Sequence, residues 1–213
     1  KSGAANVLKS LLVNIDCEFD IVERCLDEIG ICFLLAPKHH IAMKYVGKIR
    51  QEIGIRTIFN LLGPLVNPTK PQNQLTGVYN LETARLYGYI FKNTNKNFSI
   101  IYSLDGYDEI SLTNEFKLIT NKEEIISDAS YFKLNKVDSK KILGGKSVKE
   151  SADIFVKILG GKGSESQVNV VLANSSLAIR TLTGKDIEEC YSIAKESLES
   201  GKAYNCLKKL IEL

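Results

Sequence analysis

Residues 74–103 run QLTGVYN, LETARLYGYIFKN, then, after a short polar link, NFSIIYS. The first and last pieces carry strand-type residues, and the middle one repeats its apolar positions with a helical period. A chain that alternates strand and helix in this way must lay helices against a sheet. The fold class is therefore α/β, with a mixed sheet flanked by helices on both faces. EFKLIT (115–120) adds a strand, and ICFLLAP (31–37) reads as a buried strand stopped by Pro37. Helices are expected over 3–12, 20–30, 39–54, 147–161, 166–184, 186–201 and 202–213. Two carry start signals at capping-box spacing, Asp20 with Glu23 and Ser147 with Glu150. Residues 121–145 are polar and poorly periodic. Helix exceeds strand, so some helices belong to a subdomain.

Composition narrows the function classes. With 213 residues, 44% of them hydrophobic, the chain can bury a substantial core. A net charge of +3, its basic residues scattered, argues against nucleic acid but leaves room for small anions. The five cysteines form no CxxC pair, which points to reduced thiols in the cytoplasm. The longest apolar runs are too short to span a bilayer, and no signal peptide is read at the start. That start, KSGAANVLKSLL, lacks Met and is already in helical register, as if cut from a longer protein.

No P-loop, GxSxG, HExxH or GxGxxG is present. His39 and His40 are helical neighbours that diverge by about 100° and cannot chelate one ion as an i, i+4 pair would. GGKS (144–147) and GGKG (160–163) read as helix-boundary glycines. Two features hold more chemistry. DGYDEIS (105–111) sets Asp105, Asp108 and Glu109 on one short connection, either as a solvated turn or as ligands for magnesium, which takes one or two carboxylates together with phosphate oxygens. RTIFNLLGPLVNP (56–68) makes a rigid corner at Gly63-Pro64, where a flat ligand could approach backbone; Arg50 and Arg56 could offer a planar fork to an anion.

Taken together, KSGAANVL, GICFLLAPKHHIAMKYVGKIRQEIGIRTIFNLLGPLVNP, QLTGVYN, DGYDEISL and the late SGKA resemble the anthranilate phosphoribosyltransferases of tryptophan biosynthesis over essentially the whole chain. The resemblance implies a large α/β domain of the nucleoside-phosphorylase and phosphoribosyltransferase type plus part of a small helical domain, in a homodimer. All of 1–213 would belong to the catalytic domain's C-terminal portion, with roughly 38–64 packing with the small domain. It implies that Asp108 and Glu109 hold Mg2+ beside the pyrophosphate of phosphoribosyl pyrophosphate. Arg50 would contact anthranilate. Ala36, Pro37, His40, Gly63 and Pro64 would line the channel for that aromatic acid. Ala4 stands where the family often has Ser touching phosphoribosyl pyrophosphate, leaving a backbone or packing contact. The family's glycine-rich phosphate loop, its Asn-x-Ser-Thr segment and its Lys-His-Gly-Asn stretch fall upstream of Lys1. The reaction implied is displacement of pyrophosphate from the ribose by the anthranilate amine, for which no protein nucleophile is expected. Alternatives are a pyrimidine nucleoside phosphorylase of the same fold, and an inactive fragment serving folding or dimerisation.

Overall fold

The computed structural model describes residues 3–39 and 59–213, apart from the side chains of Pro37, Phe59 and Asn60. The expected helix over 39–54 lies almost wholly outside them. In chain order the helices are α1 (Ala4–Ser10), α2 (Phe19–Glu28), α3 (Ala36–His39), α4 (Phe59–Leu62), α5 (Leu81–Lys92), α6 (Val148–Leu159), α7 (Glu165–Thr183), α8 (Ile187–Glu199) and α9 (Lys202–Glu212). The strands are β1 (Asn73–Gly77), β2 (Asn97–Ser103), β3 (Phe116–Thr120) and β4 (Glu124–Ser127). The chain divides into two compact units: 1–70 with 144–160 and 201–213, and 71–143 with 161–200.

The second unit holds the sheet, in the order β1-β2-β3-β4. β1 runs parallel to β2, which the helical crossover α5 requires, and the remaining pairs are antiparallel. The mixed sheet is thus observed. Strand parity then sorts the core. Phe98 and Ile100 point to one face, where Phe91 of α5 meets Phe98 with ring centroids 5.5 Å apart. On that face α5 needs Gly88, since a Cβ there would come within 3.2 Å of Ile119. Ser99 and Ile101 point to the other face, against α7. Ser99 Oγ bonds Thr181 Oγ1 at 2.7 Å, and Ile101 joins Phe116, Leu118, Ala173 and Leu177 in one buried cluster. Helices therefore cover both faces, as the alternation demanded.

In the first unit two expectations are corrected. Residues 31–35 form no strand; they are irregular, and α3 starts at Ala36 with Pro37 inside it. The carbonyl of Leu35 accepts from the amides of Lys38 and His39, so the proline sits in a first turn, where its missing N–H costs nothing. An apolar run alone does not separate strand from irregular chain. The capping box of Asp20 and Glu23 does not form either. α2 begins at Phe19 with Glu18 as its N-cap, and Asp20 lies within the first turn, where its charge favours the helix dipole. Glu18 is instead drawn to Lys38 at 2.9 Å. The Ser147 signal holds: its hydroxyl accepts from the Glu150 amide at 3.1 Å. The polar stretch 121–145 contains β4, missed because its four residues alternate exposed and half-buried around only two isoleucines. No helix among the described residues is long and apolar enough to cross a membrane.

Candidate functional site

The acidic loop leaves the carboxyl end of β2, next to the carboxyl end of its parallel neighbour β1, the edge at which open α/β sheets receive ligands. Its shape is fixed from four directions. Ser103, the last residue of β2, is fully buried; its Oγ donates to the carbonyl of Glu109 at 2.6 Å, and its amide donates to the carbonyl of Tyr107 at 3.0 Å. Gly106 takes φ +93°, a conformation open to glycine, and closes the turn by donating to the Ser103 carbonyl at 2.8 Å. From α7, Asn174 brackets the peptide after the acids: its Oδ1 accepts from the Ile110 amide at 2.9 Å and its Nδ2 donates to the Ile110 carbonyl at 2.8 Å. From β1, Gly77 lets the loop backbone rest directly on the strand. A Cβ at Gly77 would stand 1.6 Å from the carbonyl oxygen of Asp108.

The three carboxylates then separate by role. Asp105 is spent inside the loop, accepting from Ser111 at 3.3 Å and from Thr113. Asp108 and Glu109 are exposed and have no hydrogen bond or ion pair to their side chains among the described residues. The Glu109 carboxyl is nevertheless partly withdrawn from water; that desolvation, and then the negative charge of Asp108, raise its pKa above the usual carboxylate range. Two adjacent acids with no basic partner among the described residues suit a cation. No group of three or more His, Cys, Asp or Glu side chains among the described residues could hold a metal alone, so water and ligand oxygens would have to complete its shell.

The first unit contains a separate cavity of about 140 Å³. Its apolar wall is Leu34, Ala36, Gly63, Val66 and Pro68; its polar lining is His39 and Asn67. Ala36 opens α3, and Gly63 begins a 3-10 turn, Gly63–Leu65, that contains Pro64. The small side chains leave the void: nothing lies within 4 Å of a Cβ built on Gly63.

Of the residues expected to bind substrate, Ala36 and Gly63 meet in this cavity, and half-buried Pro64 adjoins it in sequence. Pro37 lies in α3 with its side chain outside the description, and His40 and Arg50 fall outside the described residues. Ala4 is exposed at the start of α1. Sequence reasoning missed Gly77, Ser103 and Asn174. A glycine within the strand pattern QLTGVYN was the available signal, since it marks a close backbone approach. Ser103 and Asn174 carry no such mark.

The model of the glycosyl transferase family, a/b domain, matches residues 1–204. The anthranilate phosphoribosyltransferase of Flavobacterium johnsoniae is 50% identical over 212 residues, covering 100% of this chain and 64% of its own length. That of Christiangramia forsetii is 49% identical with the same coverage. Among solved structures, the Saccharomyces cerevisiae enzyme in complex with phosphoribosyl pyrophosphate and Mg superposes with a TM-score of 0.90 at 27% identity, over 99% of this chain and 61% of that one. The Thermus thermophilus enzyme superposes with 0.91 at 26% identity, over 100% of this chain and 64% of that one. The chain thus spans about 64% of the length of the curated relatives it matches.

Proposed function

The chain belongs to the glycosyl transferase family through its a/b domain, and from that membership we propose that it forms the acceptor cavity and the acid loop of an anthranilate phosphoribosyltransferase. The reading makes Asp108 and Glu109 the holders of Mg2+ beside phosphoribosyl pyrophosphate, and Ala36, Pro37, His40, Gly63, Pro64 and Arg50 the surroundings of anthranilate. Ala4 would touch phosphoribosyl pyrophosphate through its backbone or methyl group. The names of the relatives favour an aromatic acid over the nucleoside phosphorylase alternative. A homodimer in the cytoplasm, with 38–64 packed on the small helical domain, completes the proposal.

The observation that carries it is the pair of adjacent carboxylates, without a partner among the described residues, on a loop braced by Gly77, Ser103 and Asn174. When bound there, the ion would neutralise the charge gathering on pyrophosphate as it leaves the ribose. The protein's own part is positional. Asp108 and Glu109 keep the negative charge in place without rearranging during reaction, because the backbone carbonyl of each is packed or hydrogen-bonded. The shallow wall at Ala36 and Gly63 admits a flat ring and holds its amine for attack, an orientation effect that requires no protein nucleophile. Raised proton affinity at Glu109, caused first by its withdrawal from water and then by the charge of Asp108, fits the same role, since a bound cation would offset both.

Replacing Asp108 and Glu109 together by Ala tests this. The magnesium concentration that half-saturates turnover of anthranilate with phosphoribosyl pyrophosphate should rise by about tenfold or more. An unchanged magnesium titration would defeat the assignment.

A further inference from the structure

Arg180, in the last turn of α7, is a half-buried guanidinium that the acid loop does not use. Its Nη1 donates to Glu123 Oε1 at 2.8 Å and to the Tyr131 hydroxyl at 2.6 Å, which leaves the Nε–Nη2 edge without a hydrogen bond among the described residues. Such an edge grips a carboxylate through two parallel bonds. Arg180 lines a cavity of about 190 Å³ within the second unit, at the end of β2 opposite the acid loop. Lys122, in the β3–β4 turn, lines it too, and no acidic side chain among the described residues does. Glu123 already balances Arg180, whereas the exposed Lys122 has no ion-pair partner among the described residues. The cavity therefore carries an uncompensated positive charge. The end of α7 supplies the reverse polarity. Gly184, at φ +70°, closes the helix by donating to the Arg180 carbonyl at 2.8 Å. Thr181, Leu182 and Thr183 all line the cavity; their carbonyls accept no hydrogen bond among the described residues, and the negative end of the helix dipole falls on them. Leu182, 63% exposed, adds an apolar patch to the same wall.

We propose that this cavity binds a free α-amino acid with an apolar side chain, its carboxylate held by the open edge of Arg180 and the Lys122 ammonium, its own ammonium at the carbonyl end of α7, and its side chain over Leu182. The site goes beyond the proposed function and does not rest on it. Charge decides the class of ligand. A plain anion would meet the negative end of the helix dipole, and a plain cation would meet Lys122 and Arg180. A molecule that carries both charges on neighbouring atoms satisfies both walls. Size agrees, because the void is smaller than the roughly 300–1,000 Å³ that larger ligands occupy.

Titration calorimetry of the chain with leucine, phenylalanine, 4-methylpentanoate and 3-methylbutylamine tests this. At least one of the two amino acids should bind with a Kd of about 1 mM or tighter. 4-Methylpentanoate, which lacks the amine of leucine, and 3-methylbutylamine, which lacks its carboxylate, should each bind about tenfold more weakly than leucine or not at all. Arg180→Lys, which keeps the charge and loses the fork, should weaken the amino acid about tenfold. Lys122→Ala should weaken it about threefold and Leu182→Ser about fivefold. No heat of binding from either amino acid at about 10 mM overturns the proposal. So does 4-methylpentanoate binding as tightly as leucine, which would mark the site as one for simple anions. Amino-acid binding that survives Lys122→Ala and Leu182→Ser unchanged places the ligand elsewhere and overturns it as well. If Arg180→Lys does not fold without its bonds to Glu123 and Tyr131, those two substitutions, at exposed positions, decide the matter.

Discussion

At the scale of single residues, the acid loop depends on an atom that is not there. Gly77 has no Cβ, and the Asp108 carbonyl occupies the space it would fill, 1.6 Å from the position of the missing carbon. Gly77→Ala must push the loop off β1, destabilising the protein by about 1–3 kcal/mol as overpacking does. Denaturant unfolding measures that cost. The same variant should raise the magnesium concentration that half-saturates turnover without touching a carboxylate; an unchanged magnesium titration would detach the loop's position from its function. The acids themselves were legible in the sequence as a pair, because two adjacent carboxylates beside a strand are conspicuous. That Asp105 serves the fold while Asp108 and Glu109 face outward was not, since the division comes from Ser111 and Thr113 turning back on Asp105. The histidines show the same gap. Sequence reasoning favoured His40, which lies outside the described residues, whereas the histidine buried among them is its neighbour His39.

At the scale of elements, α7 does two things at once. Leu177 and Ala173 seal the sheet, while Asn174 on the same helix reaches the loop. Asn174→Ala removes both hydrogen bonds to the Ile110 peptide and should cost roughly 2 kcal/mol, read by urea titration. A loss below about 0.5 kcal/mol would mean water replaces the amide there. The β3–β4 hairpin carries the pH-sensitive pair. Lys117 bonds Glu124 at 2.8 Å and holds that carboxyl below its ordinary range. The folded pKa is lower than the unfolded one, so the pair's contribution is present above the unfolded carboxylate value, about 4.3, and is lost as pH falls through the folded value. Glu124→Gln should therefore lower the melting temperature near neutrality, by the fraction of a kcal/mol (about 0.2–1) typical of partly exposed pairs. The gap from the parent protein should close in acid; a gap that persists at low pH would show that the charge was not its source. Helix ends read well from sequence wherever a side chain caps them, as at Ser147. They read badly at α2, where Glu18 caps without a side-chain bond, and at 31–35, where the apolar pattern matched a strand that the chain does not make.

At the scale of the whole molecule, the strand–helix–strand pattern of 74–103 was enough to specify an α/β unit, and the mixed sheet follows from one helical crossover and two short reversals. Period-two alternation puts Phe98 and Ile100 on one side of β2, but the pairing register with β1 and β3 was not legible, since β2 is buried on both faces and carries no polar alternation to fix it. The division into two units was not legible, because each is assembled from distant stretches that no local pattern links. The sheet unit's core makes its own prediction: Leu177 is fully buried, and Leu177→Ala should cost about 2–5 kcal/mol, with calorimetric melting as the check. A loss under about 1 kcal/mol would mean that α7 moves in to close the hole.

The chain passes between the two units after residues 70, 143, 160 and 200. Neither half is therefore a bead on a string. A single proteolytic nick cannot cut the chain into one piece for each unit, and recombination at any one point in the gene cannot lend either half to another protein. The parts that hold the acids and the cavity are obliged to be inherited together.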